Sequence, residues 1–174
     1  MQPIAGDAGT PTTSTTPRDS AATGPLRAPT PGEVASVTNA PAAGAPSDAE
    51  VRAAVAKFQA AIRKYHLDQL NLSYAILDPA SLPPGRFYTS IASVYTDYGL
   101  GVACGGVLHV AELGVANKTL PCGTMVTFVY GGRAIRVPVI DRGPYIAGRV
   151  WDLTGATAIA LKFPGLGPIQ WRLG

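Results

Sequence analysis

Residues 124–145 read TMVTFVYGGRAIRVPVIDRGPY, and the reading of this stretch decides the fold. Val126, Phe128 and Tyr130 alternate along one run, and Ile135, Val137 and Val139 along the next, the period-two pattern of strands with one buried face. Gly131-Gly132 between them reads as a two-residue hairpin turn, because a turn matching the twist of both strands needs positive φ at both central positions. Pro138 has no N–H, so it belongs where the ladder needs no donor. The apolar run ends at Asp141, before a turn built on Gly143 and Pro144. A carboxylate there is held by a rigid strand yet faces a cleft, as a general acid or base must be.

Outward from this hairpin, strands are expected over Tyr88–Tyr95, Thr124–Tyr130, Arg133–Ile140 and Ile169–Leu173, a small all-β unit. Thr154 is placed to cap a short helix, Gly155–Leu161, ending near Phe163-Pro164-Gly165. Just before that cap, Val150-Trp151-Asp152-Leu153 sets a second carboxylate in an apolar frame. Asp152 reads equally as a functional acid and as an acceptor for backbone N–H groups at the helix start.

Toward the N-terminus, Ser47 and Glu50 have the spacing of a capping box, and a helix is expected from there to about Leu70. Val51, Ala54, Val55, Phe58, Ile62 and Tyr65 draw one apolar stripe, which packs on the β unit or on a second copy of itself. Residues 1–46 are Pro, Thr, Ala, Gly and Ser with almost no large apolar side chain, too little to offset the entropy of ordering. The chain therefore divides into a disordered tether (1–46), an amphipathic helix with connector (47–86) and the β domain (87–174).

The 174 residues allow one substantial core. A net charge of +3 suits an anionic polymer, but without a Lys/Arg run no nucleic-acid partner is expected. Cys104 and Cys122 read as a disulfide of an oxidising compartment, with two buried thiols as the alternative. They form no C-x-x-C pair, and His66 and His109 lack ligand spacing, so no zinc site is read; nothing in the chain asks for a metal or organic cofactor. No stretch is long enough for a transmembrane segment, and Met1–Thr16 shows no signal peptide.

Three stretches in order, LGVANKTLPCGT (113–124), VIDRGPY (139–145) and GRVWDLT (148–154), resemble the rare lipoprotein A-like double-psi β-barrel family over roughly residues 88–173. The resemblance implies a mainly β fold, a six-stranded double-psi β-barrel. Ala103-Cys104-Gly105 resembles the branch in which this cysteine pairs with that of the L-P-C-G motif, which supports the disulfide. The family includes endolytic peptidoglycan lytic transglycosylases, and the same barrel recurs in expansins. An extracytoplasmic, secreted or wall-associated place follows, with peptidoglycan or another wall polysaccharide as partner.

Asp141 matches the family's acid, which protonates the glycosidic oxygen of the MurNAc-GlcNAc bond and then, as carboxylate, takes the 6-hydroxyl proton to give a 1,6-anhydro product. Asp152, Asn117, Tyr95, Thr96, Arg142 and Tyr145 are the expected substrate-binding residues around it. Asp141 with Asp152 also resembles the two-aspartate pattern of expansin barrels; hydrolysis would need Asp152 or Glu112 as a second carboxylate. Tyr95, Tyr98, Tyr145 and Trp151 are candidates for a sugar-stacking platform, while His109, with no partner motif, reads as a satisfied or solvent-facing side chain. Family enzymes usually carry His where Asn117 stands, and Glu or Gln where Gly106 aligns. Three functions follow: a lytic transglycosylase, a non-catalytic expansin-like wall-binding module, and a secreted structural or inhibitor-like protein.

Overall fold

The computed structural model describes residues 44–174, so the tether expected over 1–46 lies, up to residue 43, outside the described residues. The capping box forms: Ser47 N donates to Glu50 Oε2 at 2.8 Å, and Ser47 Oγ accepts from Glu50 N at 3.3 Å. Helix α1 (Asp48–Tyr65) follows and packs its stripe on the barrel core through Phe58, with Ile62 and Tyr65 partly buried beside it. It ends five residues before the expected Leu70, at His66 in the left-handed conformation (φ 53°). Leu67 lies off the stripe, and a continued helix would turn it away from the barrel. A 3₁₀ turn over Leu67–Gln69 instead buries Leu67 completely.

The β elements are β1 (Ile76–Leu77), β2 (Tyr88–Tyr95), β3 (Val115–Ala116), β4 (Met125–Tyr130), β5 (Arg133–Asp141), β6 (Arg149–Thr154) and β7 (Leu166–Leu173), with helix α2 (Gly155–Leu161) between the last two. The strands run β5-β3-β6-β2-β7-β4 and close by the β4–β5 hairpin; β1 is an added pairing on β5. Two pairs are parallel, β2 with β6 and β3 with β5, and the rest are antiparallel. This is the closed six-stranded barrel expected, mainly β, with no free edge between its strands.

The hairpin turn carries φ of 54° at Gly131 and 74° at Gly132, which only glycine adopts freely in succession. On β5, Val139 N bonds to Thr124 O of the β4 side. Pro138, one residue earlier, therefore aims its nitrogen at the opposite edge, between the β1 pairings at Ala134 and Ile135 and the β3 pairing at Val139.

Val115, Phe128, Ile135, Val139, Trp151 and Leu153 are fully buried in the core, with Trp151 edge-on to Phe128 (5.2 Å) and Trp171 (4.8 Å). Three strands went unread in the sequence. β1 and β3 have two residues each, too few for a periodic pattern, and β6 is a central strand whose alternation, Trp151 and Leu153 inward around Asp152, runs directly into the helix cap at Thr154. β7 starts at Leu166 rather than Ile169, taking in Gly167 and Pro168: Pro168 pairs only with β2, because β4 joins β7 from Gln170 onward.

Candidate functional site

The β3 pairings set the geometry. Ala116 is the partner of Asp141 on its parallel side and of Asp152 on its antiparallel side, and Asp152 is in turn the partner of Ser93 on β2. Paired residues point to the same face, and a register irregularity in β5 between Val139 and Asp141 brings Asp141 level with Ala116, so Asp141, Ala116, Asp152 and Ser93 form one row across four strands. Val115 and Leu153, one residue along, are wholly buried inside the barrel, so the row lies on its outside. Two ladder steps of roughly 4.8 Å place the two aspartate Cα atoms about 10 Å apart.

Asp141 is half-buried, and its Oδ1 accepts from the backbone N–H groups of Ala103 and Arg142, each at 2.8 Å. Those bonds fix the carboxyl's orientation and tie it to the strap that runs from β2 to β3. The same strap is held by Cys104 N donating to Ile140 O at 3.2 Å and by the Cys104–Cys122 disulfide (Cα–Cα 5.6 Å). The guanidinium of Arg142 turns away from the Asp141 carboxyl, reaching Asn117 O at 3.3 Å and Cys122 Sγ at 3.4 Å.

Asp152 is held differently. Burial pushes its carboxyl from an ordinary 3.8 up to about 6; the Ser93 hydroxyl, Arg149 and Lys57 pull it back, and Asp97 adds to the rise. Ser93 is close enough to act on this carboxyl, yet neither Asp152 Oδ1 nor Ser93 Oγ has a hydrogen-bond partner of good geometry. Tyr95, 9% exposed, packs with Leu108 and Ala116 over this row. Its hydroxyl is buried without a partner, and its pKa is raised first by burial and then by Asp141 and Asp152.

The structure brings together Asp141, Asp152 and Tyr95. Asn117 sits beside them, but its amide is committed: Oδ1 accepts from Thr119 N (3.1 Å) and Leu120 N (3.0 Å), and Nδ2 donates to Val150 O (3.2 Å). Thr96 lines a separate cleft between the barrel and α1. Tyr145 is 80% exposed on the loop after Asp141. Of the four aromatic candidates for a sugar platform it alone presents an open ring: Trp151 is fully buried, Tyr95 lies under the strap, and Tyr98 stacks edge-on to Tyr65 at 4.7 Å. Gly106 sits at the strap's hairpin tip with φ 84°, where its carbonyl accepts from Val102 N. His109 and Glu112 line a pocket of about 520 Å³ beside the disulfide. Sequence reasoning missed Ser93, Lys57 and Arg149 as neighbours of Asp152; a serine in an apolar strand was the only local signal.

Among the described residues, no His, Cys, Asp and Glu side chains group as metal ligands, and no helix is long and apolar enough to cross a membrane.

A closed six-stranded barrel with two parallel pairs, β2 with β6 and β3 with β5, is the double-psi class expected. Residues 89–172 match the family model described as lytic transglycolase. Over those residues the barrel is similar to the rare lipoprotein A-like double-psi β-barrel family. The chain is 36% identical over 80 residues to a probable endolytic peptidoglycan transglycosylase RlpA of Treponema pallidum, covering 44% of this chain and 25% of the relative. It is 37% identical over 90 residues to the protein of the same name from Synechocystis, covering 48% and 28%. The match thus spans about a quarter of those relatives' length. Among solved structures, a Streptomyces papain inhibitor is similar at 33% identity and a TM-score of 0.43, covering 53% of this chain and 98% of the inhibitor.

Proposed function

We propose that the chain acts on cell-wall glycan as an endolytic peptidoglycan lytic transglycosylase, with Asp141 and Asp152 as its two carboxylates. The observation that carries this reading is Asp152: a carboxyl held near pKa 6, with an unpartnered Oδ1, one strand removed from the oriented carboxyl of Asp141. The sequence assigned the proton work to Asp141. Burial favours Asp152 for it, because it raises that carboxyl to about 6.

In this reading Asp152 donates its proton to the glycosidic oxygen as the bond from C1 of the muramic residue breaks. The resulting carboxylate then takes the proton of that residue's 6-hydroxyl as O6 bonds to C1, giving the 1,6-anhydro product and returning Asp152 to its acid form. Asp141, fixed by Ala103 N and Arg142 N, supplies negative charge near the cationic sugar of the transition state. The disulfide fits an oxidising, extracytoplasmic place of action.

Asn117 favours a second reading, binding without cleavage as in an expansin-like module. Its amide is consumed by the turn, so no titratable side chain stands where family enzymes carry His. Mass spectrometry of muropeptides released from purified sacculi decides between them. Anhydro products from wild type, absent with Asp152→Asn and Asp141→Asn, support cleavage. Protein pelleting with sacculi and releasing nothing supports binding alone, and neither result rejects glycan action altogether.

A further inference from the structure

A cleft of about 70 Å³ lies between α1 and the barrel, lined by Lys57 and Phe58 of the helix and by Ser93, Thr96, Arg149 and Gly165 of the barrel. Helix α1 precedes the 89–172 match, so this cleft lies between the matched barrel and an element outside the match. Ser93 forms its inner wall: it is 4% exposed, and its hydroxyl has no partner. A hydroxyl so buried is usually paired, and an acceptor entering the cleft would pair it. The space holds a few water-sized groups, enough for a carboxylate but not for a sugar ring.

The charges around the cleft select the ligand. Lys57 and Arg149 line it, and Lys118 Nζ lies 3.4 Å from the Arg149 carbonyl. On the acidic side, Glu50 feels Arg149 but is folded back onto Ser47 N and Oγ, each at 2.8 Å. Asp97 and Asp152 are the other acids that act here, with Asp152 next to Ser93 in the row.

We propose that this cleft is a carboxylate subsite, built from Lys57, Arg149, Ser93 and Thr96, that receives the acidic substituent of a glycan bound at Asp141 and Asp152. The proposal rests on the glycan reading above and narrows it to acidic glycans: muramic acid brings a lactyl carboxylate, and a neutral amino sugar brings none. A carboxylate bound here neutralises the two cations, Lys57 on α1 and Arg149 on β6, that otherwise favour ionised Asp152. Substrate binding thereby helps Asp152 keep the proton it donates, while Asp97 acts in the same direction.

The test is an amide NMR titration of the full chain with N-acetylmuramic acid, against N-acetylglucosamine, which lacks the lactyl group. Shifts at Ser93, Thr96 and Arg149 with the acid alone are expected. Lys57→Gln, an exposed substitution of a good helix former, should weaken that binding roughly fivefold, the scale of one such ion pair, and Lys57→Arg should restore it. Equal responses to both sugars, or binding indifferent to both Lys57→Gln and Arg149→Gln, would overturn the subsite. Product release and pelleting with sacculi, scored alongside, report on the glycan reading separately. Products without any response to N-acetylmuramic acid remove the subsite and leave the function; the reverse removes the function and leaves a carboxylate site.

Discussion

Asp141 and Asp152, eleven residues apart in sequence, meet across a single alanine, Ala116, which pairs with one on each side. The two-residue strand β3 is what separates them. Were β5 and β6 direct neighbours, the carboxyls would crowd as like charges; with β3 between, both can border one ligand. Tyr95 over the row responds to both charges, which marks how closely the outer face gathers them.

Replacing Asp152 by Asn should change the pH dependence of stability. A carboxyl raised from 3.8 to about 6 favours the fold in its protonated form, so its contribution is complete below about pH 4 and is lost as pH rises through 6. At roughly 1.4 kcal/mol per pH unit, that span amounts to about 3 kcal/mol. Denaturant unfolding of wild type and Asp152→Asn should diverge between pH 4 and 7, with the variant gaining at the upper end. A constant difference across that range would show that Asp152 ionises normally.

At Asp141 two substitutions separate chemistry from structure. Asp141→Asn retains an oxygen for Ala103 N and Arg142 N, so its melting temperature should stay near wild type while glycan turnover falls away. Asp141→Ala strands both donors and should cost about 2 kcal/mol or more. If Asn destabilises as much as Ala, the carboxyl's charge matters to the fold itself.

The disulfide should stabilise the barrel and pin the strap. It closes a sequence separation of 18 residues, worth about 3 kcal/mol through the unfolded chain. The double variant Cys104→Ser, Cys122→Ser should lose about that much. Because Ala103 N is bonded to Asp141, its amide should also exchange faster in the double variant, while amides of β4 keep their relative protection.

Asn117→Ala should weaken the fold by about 2 to 3 kcal/mol, since it deprives two backbone N–H groups of their acceptor in a site only 6% exposed. Asn117→Asp keeps the acceptor and loses only the bond to Val150 O, so it should cost less. Calorimetric melting of the two variants checks the order. Equal melting points would assign Asn117 a role outside the turn.

Much of this was open in the sequence because it was local. Alternation and Gly131-Gly132 placed the β4–β5 hairpin, the capping box started α1, and Thr154 capped α2, each through contacts within a few residues. The motif order carried the barrel and the cysteine pair. The row of Asp141, Ala116, Asp152 and Ser93 was decided only by tertiary structure, because it depends on a two-residue strand and on parallel pairings between segments distant in sequence. Burial was equally invisible: Trp151 and Asp152 are neighbours in one motif, yet alternation sends the indole into the core and the carboxyl to the outer face. Sequence named the candidates for chemistry; the fold decided which of them share a face, which are spent on turns, and which carboxyl burial raises.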